Sequence, residues 1–118
     1  MTKKIMIVDD DPSIVKYLTA VFNDNGYETC SALNGVEALD VFKKNNPDLI
    51  TLDLDMPQEW GPRFYRKLTK DKEFKKIPVI VISGLSSIKH SIKDAVAFIH
   101  KPFNIEKLIA VVRDTIGS

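Results

Sequence analysis

Lys4-Ile5-Met6-Ile7-Val8-Asp9-Asp10-Asp11-Pro12 is the stretch that decides the fold of this 118-residue chain. Its four consecutive apolar residues show neither helical spacing nor polar alternation, the pattern of a strand buried on both faces. Asp11-Pro12 then reads as an N-cap followed by the proline favoured at the first helical position. The segment is therefore a strand over about 4–9, a short acidic loop and a helix. Carboxylates where a parallel strand gives way to loop lie where open α/β sheets keep their ligand sites.

Outward from this stretch the same alternation repeats. The first helix carries Ile14, Leu18, Val21 and Phe22 on one face and stops at Gly26. A second strand, about 27–32, is the weakest by composition. Asn34-Gly35 turns the chain into a helix with Ala38, Leu39 and Phe42 inward, stopped by Asn45-Asn46-Pro47. A third apolar run, Leu49-Ile50-Thr51-Leu52, ends in Asp53, so this strand spans about 48–53. After a loop from Leu54 to Gly61, a third helix starts at Pro62. Val79-Ile80-Val81-Ile82 ends in Ser83, and Val96-Ala97-Phe98-Ile99-His100 ends in Lys101-Pro102. These give strands over about 78–83 and 96–100. Asn104 caps a last helix that presents Leu108, Ile109, Val112 and Ile116. Five strand–helix alternations argue for a parallel sheet covered by helices on both faces.

The composition confines the function. The length fits one domain over 1–118. Seventeen basic and sixteen acidic residues leave a net charge of +1, so overall charge points to no partner. Arg63 to Lys76 concentrates seven basic and two acidic residues, read as a solvated helix face, with an acidic partner surface as the sharper alternative. Cys30 is the one cysteine, which excludes an internal disulfide and cysteine-based zinc sites and reads as a buried strand residue. His90 and His100 are too few and too differently placed for a metal site. No run approaches the ~20 apolar residues that span a bilayer, and the start lacks a signal peptide's apolar stretch. A cytoplasmic location is expected.

Side by side, these strands gather Asp9, Asp10, Asp53, the Ser83 hydroxyl and the Lys101 ammonium at one sheet edge. Crowded carboxylates repel, so without a cation at least one pKa should rise. Magnesium fits such a site, because it binds one or two carboxylates together with waters and phosphate oxygens. Manganese shares its taste for oxygen ligands. Asp53 is the candidate nucleophile toward phosphorus, with a long loop after it to admit a donor. Asp9 and Asp10 would hold the metal. Lys101 would place positive charge on the phosphoryl group, Ser83 would donate a hydrogen bond, and the Gly84 amide could approach closely for want of a Cβ.

Val8-Asp9-Asp10-Asp11-Pro12, Pro47-Asp48-Leu49-Ile50-Thr51-Leu52-Asp53-Leu54-Asp55-Met56-Pro57, Pro78-Val79-Ile80-Val81-Ile82-Ser83-Gly84 and Lys101-Pro102-Phe103 together resemble the receiver domain of two-component response regulators. The resemblance runs from about residue 4 to 116, with four motifs in order. It implies a flavodoxin-like (βα)5 doubly wound sandwich with strand order 2-1-3-4-5. It implies that Asp53 accepts a phosphoryl group from a histidine kinase or phosphotransfer protein. Mg²⁺ would then be held by Asp10, Asp53 and the backbone carbonyl of Asp55, with Asp9 reaching it through water. Ser83 and Phe98 would be the switch pair, Lys101-Pro102 a cis peptide, and Asp55, Trp60 and Leu85 modulatory positions.

Several positions depart from the family's pattern. Trp60 stands where an Asp is usual, either as a lid on the third helix or as a partner contact. Asp55 would repel an anionic donor. Phe98 lacks the hydroxyl of the commoner Tyr, which favours a buried rotamer. The step from Ser83 to Lys101 is about one helical turn short, so the fourth helix shrinks to about Ser87–Lys93.

The leading expectation is a phosphorylation-operated signalling module, with only self-directed phosphoryl transfer and autodephosphorylation rather than turnover as an enzyme. Its output would be an unknown downstream protein, without direct nucleic-acid or membrane binding and with no oligomeric state implied. One alternative is a receiver-like module that works without phosphorylation. Another, from Asp53-Leu54-Asp55, is a small Asp-x-Asp phosphohydrolase.

Overall fold

The computed structural model describes residues 2–53, 66–67, 70, 77–84, 95–101 and 103–117. In chain order the elements are β1 (Lys4–Val8), α1 (Pro12–Asp24), β2 (Glu28–Ala32), α2 (Gly35–Asn45), β3 (Leu49–Asp53), β4 (Val79–Ser83), β5 (Ala97–His100) and the C-terminal helix α3 (Ile105–Ile116). Every strand lies within one residue of its expected bounds. Of the helix expected from Pro62, Arg66, Lys67 and Lys70 are described, and all three are helical and exposed, as a solvated basic face requires. The loop from Leu54 to Gly61, the helix expected over Ser87–Lys93, and Pro102 lie outside the described residues, and with them Asp55, Trp60 and Leu85.

The five strands form one sheet in the order β2-β1-β3-β4-β5, every pair parallel. This is the doubly wound order expected above. Strands β3 and β4 are buried at every position, which explains their uninterrupted apolar runs. Edge strand β2 has one buried residue, Ala32, and its weak sequence signal follows from that edge position. Cys30 is accordingly half-buried rather than buried. Burial still pushes its thiol pKa up, against the opposing charge of Lys4.

Alternate side chains of each strand enter two apolar layers. One layer joins Met6, Val8, Ile50, Leu52, Val79 and Val81 to Ala38 and Phe42 of α2. The other joins Ile5, Ile7, Leu49, Ile80, Ile82 and Ile99 to Leu18 and Phe22 of α1 and to Leu108, Ile109 and Val112 of α3. Leu39 packs against the first layer, and Ile14, Val21 and Ile116 against the second.

Helix ends are held as the sequence suggests. The Asp11 side chain accepts from the Ser13 amide, Asn34 from the Glu37 amide and Asn104 from the Lys107 amide. Asn46 closes α2 in the left-handed region at φ 46°, one residue before Pro47.

Candidate functional site

Asp9, Asp53 and Lys101 meet because they continue the same strand alternation. Asp9 follows Ile5 and Ile7, Asp53 follows Leu49 and Thr51, and Lys101 follows Ala97 and Ile99, all on the α1–α3 face. The backbone ladder extends past the strand ends to hold them. The Asp9 amide donates to the Ala32 carbonyl at 3.2 Å, and the Lys101 amide to the Ser83 carbonyl at 3.1 Å. Ser83 has the opposite parity, in line with Val79 and Val81 on the α2 face. Phe98 packs half-buried on that same layer, so the two switch candidates share one side of the sheet.

At the edge, the Lys101 Nζ lies 3.2 Å from Asp53 Oδ1 and 3.9 Å from Asp9 Oδ2. Asp9 and Asp53 are each only 2% exposed, whereas Asp10 is exposed. The ligand atoms of Asp9, Asp10 and Asp53 all lie within 4.8 Å of one another, close enough to share one metal ion. The Asp11 amide donates to Asp9 Oδ1 at 2.9 Å, fixing that carboxyl in the loop that also caps α1.

The expected rise in a carboxyl pKa falls on Asp9, which is raised from 3.8 to about 7. Burial is the largest cause, and the charge of Asp53 and a hydrogen bond to it add to the rise. The Asp11 amide and Lys101 oppose it. Crowding thus contributes, but desolvation by the surrounding sheet and helices outweighs it.

The structure brings together Asp9, Asp10, Asp53 and Lys101 from the ends of three different strands, with Ser83 6% exposed at the neighbouring strand end. Gly84, next to Ser83, is exposed. Buried polar side chains among the described residues are Asp9, Thr51, Asp53 and Ser83. Thr51 had no assigned part in the sequence reading. It is 1% exposed, and its Oγ1 is, among the described residues, the buried side-chain polar atom without a hydrogen-bond partner.

Comparison with known proteins places this geometry in a familiar setting. The profile of the response regulator receiver domain matches residues 5–113. Protein Rrf1 of Nitratidesulfovibrio vulgaris is 33% identical over 95% of this chain and 81% of its own length. The polar-differentiation response regulator DivK of Brucella ovis is 31% identical over 99% of this chain and 98% of its own. The crystal structure of a response regulator from Chloroflexus aurantiacus superposes with a TM-score of 0.90 at 27% identity, covering 100% of both chains. The chemotaxis protein CheY4 of Vibrio cholerae gives 0.89 at 28% identity, over 98% of this chain and 99% of that one.

Proposed function

The chain belongs to the response regulator receiver domain family, and from that premise we propose that Asp53 accepts a phosphoryl group from a histidine kinase or phosphotransfer protein. The observation that carries this reading is a buried Asp53 carboxylate 3.2 Å from the Lys101 ammonium, within a group of three carboxylates.

The donor set fits a hard divalent cation, since Asp9, Asp10 and Asp53 offer only carboxylate oxygens. Mg²⁺, or Mn²⁺ in its place, would be held by Asp10, Asp53 and the backbone carbonyl of Asp55, with Asp9 reaching it through water. When bound, the cation neutralises oxygens of the incoming phosphoryl group and relieves the repulsion among the carboxylates.

The chain's own groups do the rest. One Asp53 oxygen forms the new O–P bond as the donor's N–P bond breaks, and that electron pair stays on the departing imidazole. Lys101 shifts from the Asp53 carboxylate to a phosphoryl oxygen, so its charge follows the charge being transferred. Ser83 donates its hydroxyl to another phosphoryl oxygen. Because Ser83 and Phe98 share the α2 face, that movement alters packing at β4 and β5, where a downstream protein reads the state. Asp55, Trp60 and Leu85 set how long the phosphoryl group persists. The single domain has no catalytic turnover on a separate substrate, and it acts in the cytoplasm through protein contacts rather than on nucleic acid.

Incubation with Mg²⁺ and phosphoramidate, read by intact mass, tests the reading. One added phosphoryl group is expected, absent in Asp53→Ala and absent when the divalent cation is chelated. Equal phosphorylation of Asp53→Ala, or none in the native chain with phosphoramidate or a phosphorylated phosphotransfer protein, overturns it.

A further inference from the structure

Thr51 is the buried polar side chain that the phosphoryl-transfer reading leaves without a task. Thr51 is 1% exposed and its hydroxyl is unpartnered among the described residues, an arrangement that is destabilising if nothing satisfies it. Buried hydroxyls are ordinarily paired, so an orphan asks for an explanation. Register supplies the neighbours. Thr51 pairs laterally with Ile7 on β1 and Ile80 on β4, both in the apolar layer under α1 and α3. One rung further along the same face come Asp53 on its own strand and Asp9 beyond Ile7. Both lateral partners, Ile7 and Ile80, are apolar, and the fourth buried polar residue among the described ones, Ser83, has the opposite parity.

Residues i and i+2 of a strand are about 6.6 Å apart along it. Two hydrogen bonds through a single water span about 5.5 Å. A buried water needs two or more polar partners, and Thr51 with the two carboxylates provides three. We infer that Thr51 is a positioning residue: through one enclosed water its hydroxyl steadies the Asp53 carboxylate from below. Lys101 anchors the same carboxylate from the side through Oδ1. With both supports the reacting oxygen is held toward the mouth of the site before any donor arrives.

This inference rests on Asp53 as the phosphoacceptor, and its test separates the two. Thr51→Val keeps the shape and removes the hydroxyl, whereas Thr51→Ser keeps the hydroxyl. The rate of phosphorylation by phosphoramidate at saturating Mg²⁺ is measured against phosphoramidate concentration, with a melting curve for each protein. Thr51→Val is expected to lose about ten-fold or more in the limiting rate, with its half-saturating concentration unchanged and its melting temperature no lower. Thr51→Ser is expected to restore most of the rate. A Thr51→Val protein that is phosphorylated as fast as the native chain overturns the inference and leaves Asp53 as the acceptor. A native chain that takes no phosphoryl group overturns the function itself. Independently of any variant, a high-resolution crystal structure of the native chain is expected to show one water within hydrogen-bond distance of Thr51 Oγ1 and of Asp53 or Asp9. Clear density without such a water also overturns the inference.

Discussion

Asp9 is expected to make the proposed cation site sensitive to pH. With its pKa raised from 3.8 to about 7, the folded chain holds this proton more tightly than the unfolded chain does. The stability this confers is fully present below the unfolded value, declines as pH rises from about 4 to about 7, and is gone above that. A divalent cation removes the disadvantage of the ionised form, so its stabilising effect should grow over the same window. Melting in chelator is therefore expected to occur at lower temperature at pH 8 than at pH 5, and added Mg²⁺ to raise it more at pH 8. Asp9→Asn should flatten both trends; a native chain with the same melting temperature and the same Mg²⁺ increment at both pH values contradicts this account. At this scale Asp9 and Asp53 were legible because both end apolar runs. That burial outweighs crowding was not, since it depends on what the sheet and helices stack around Asp9. Thr51 was hidden for the same reason: a β-branched residue within Leu49–Asp53 looks like any good strand former. Only the packed layer reveals that its hydroxyl lacks a partner among the described residues.

The elements carry their boundaries in short polar residues. Asn34 and Asn104 each accept an amide hydrogen bond from the residue three positions on, satisfying a donor the helix cannot. Replacing either with Ala is expected to lower stability by about 1 kcal/mol in urea unfolding while leaving the proposed phosphorylation of Asp53 intact. An unchanged midpoint in both variants would show that the caps are ornamental. The strands were read to within one residue because β1, β3 and β4 are enclosed on both faces, which forces continuous apolar runs. Edge strand β2 is the faint one, and Cys30, expected to be buried, is half-buried because its strand lies at the sheet margin. Asp10 sits at the same edge as Asp9 yet is exposed, a difference that adjacent acidic letters cannot express.

Across the whole molecule, the two faces of one sheet divide the candidate residues. Asp9, Asp53 and Lys101 continue the face under α1 and α3, while Ser83 and Phe98 continue the face under α2. On the proposed mechanism, a change at Asp53 reaches the far layer through Ser83 at the end of β4. Backbone hydrogen exchange with Mg²⁺ and beryllofluoride, a mimic of the attached phosphoryl group, is expected to change most at Val79–Ser83 and Ala97–His100. It should change least in the middle of α3, around Leu108 and Val112; a uniform change would argue against a directed switch. The claim on which all of this depends is the identity of the acceptor. Borohydride reduces an aspartyl phosphate to homoserine, so peptide mass mapping after treatment with Mg²⁺, phosphoramidate and borohydride reports the modified position directly. The account predicts homoserine at position 53 alone, and homoserine at position 9 or 10 instead would contradict it.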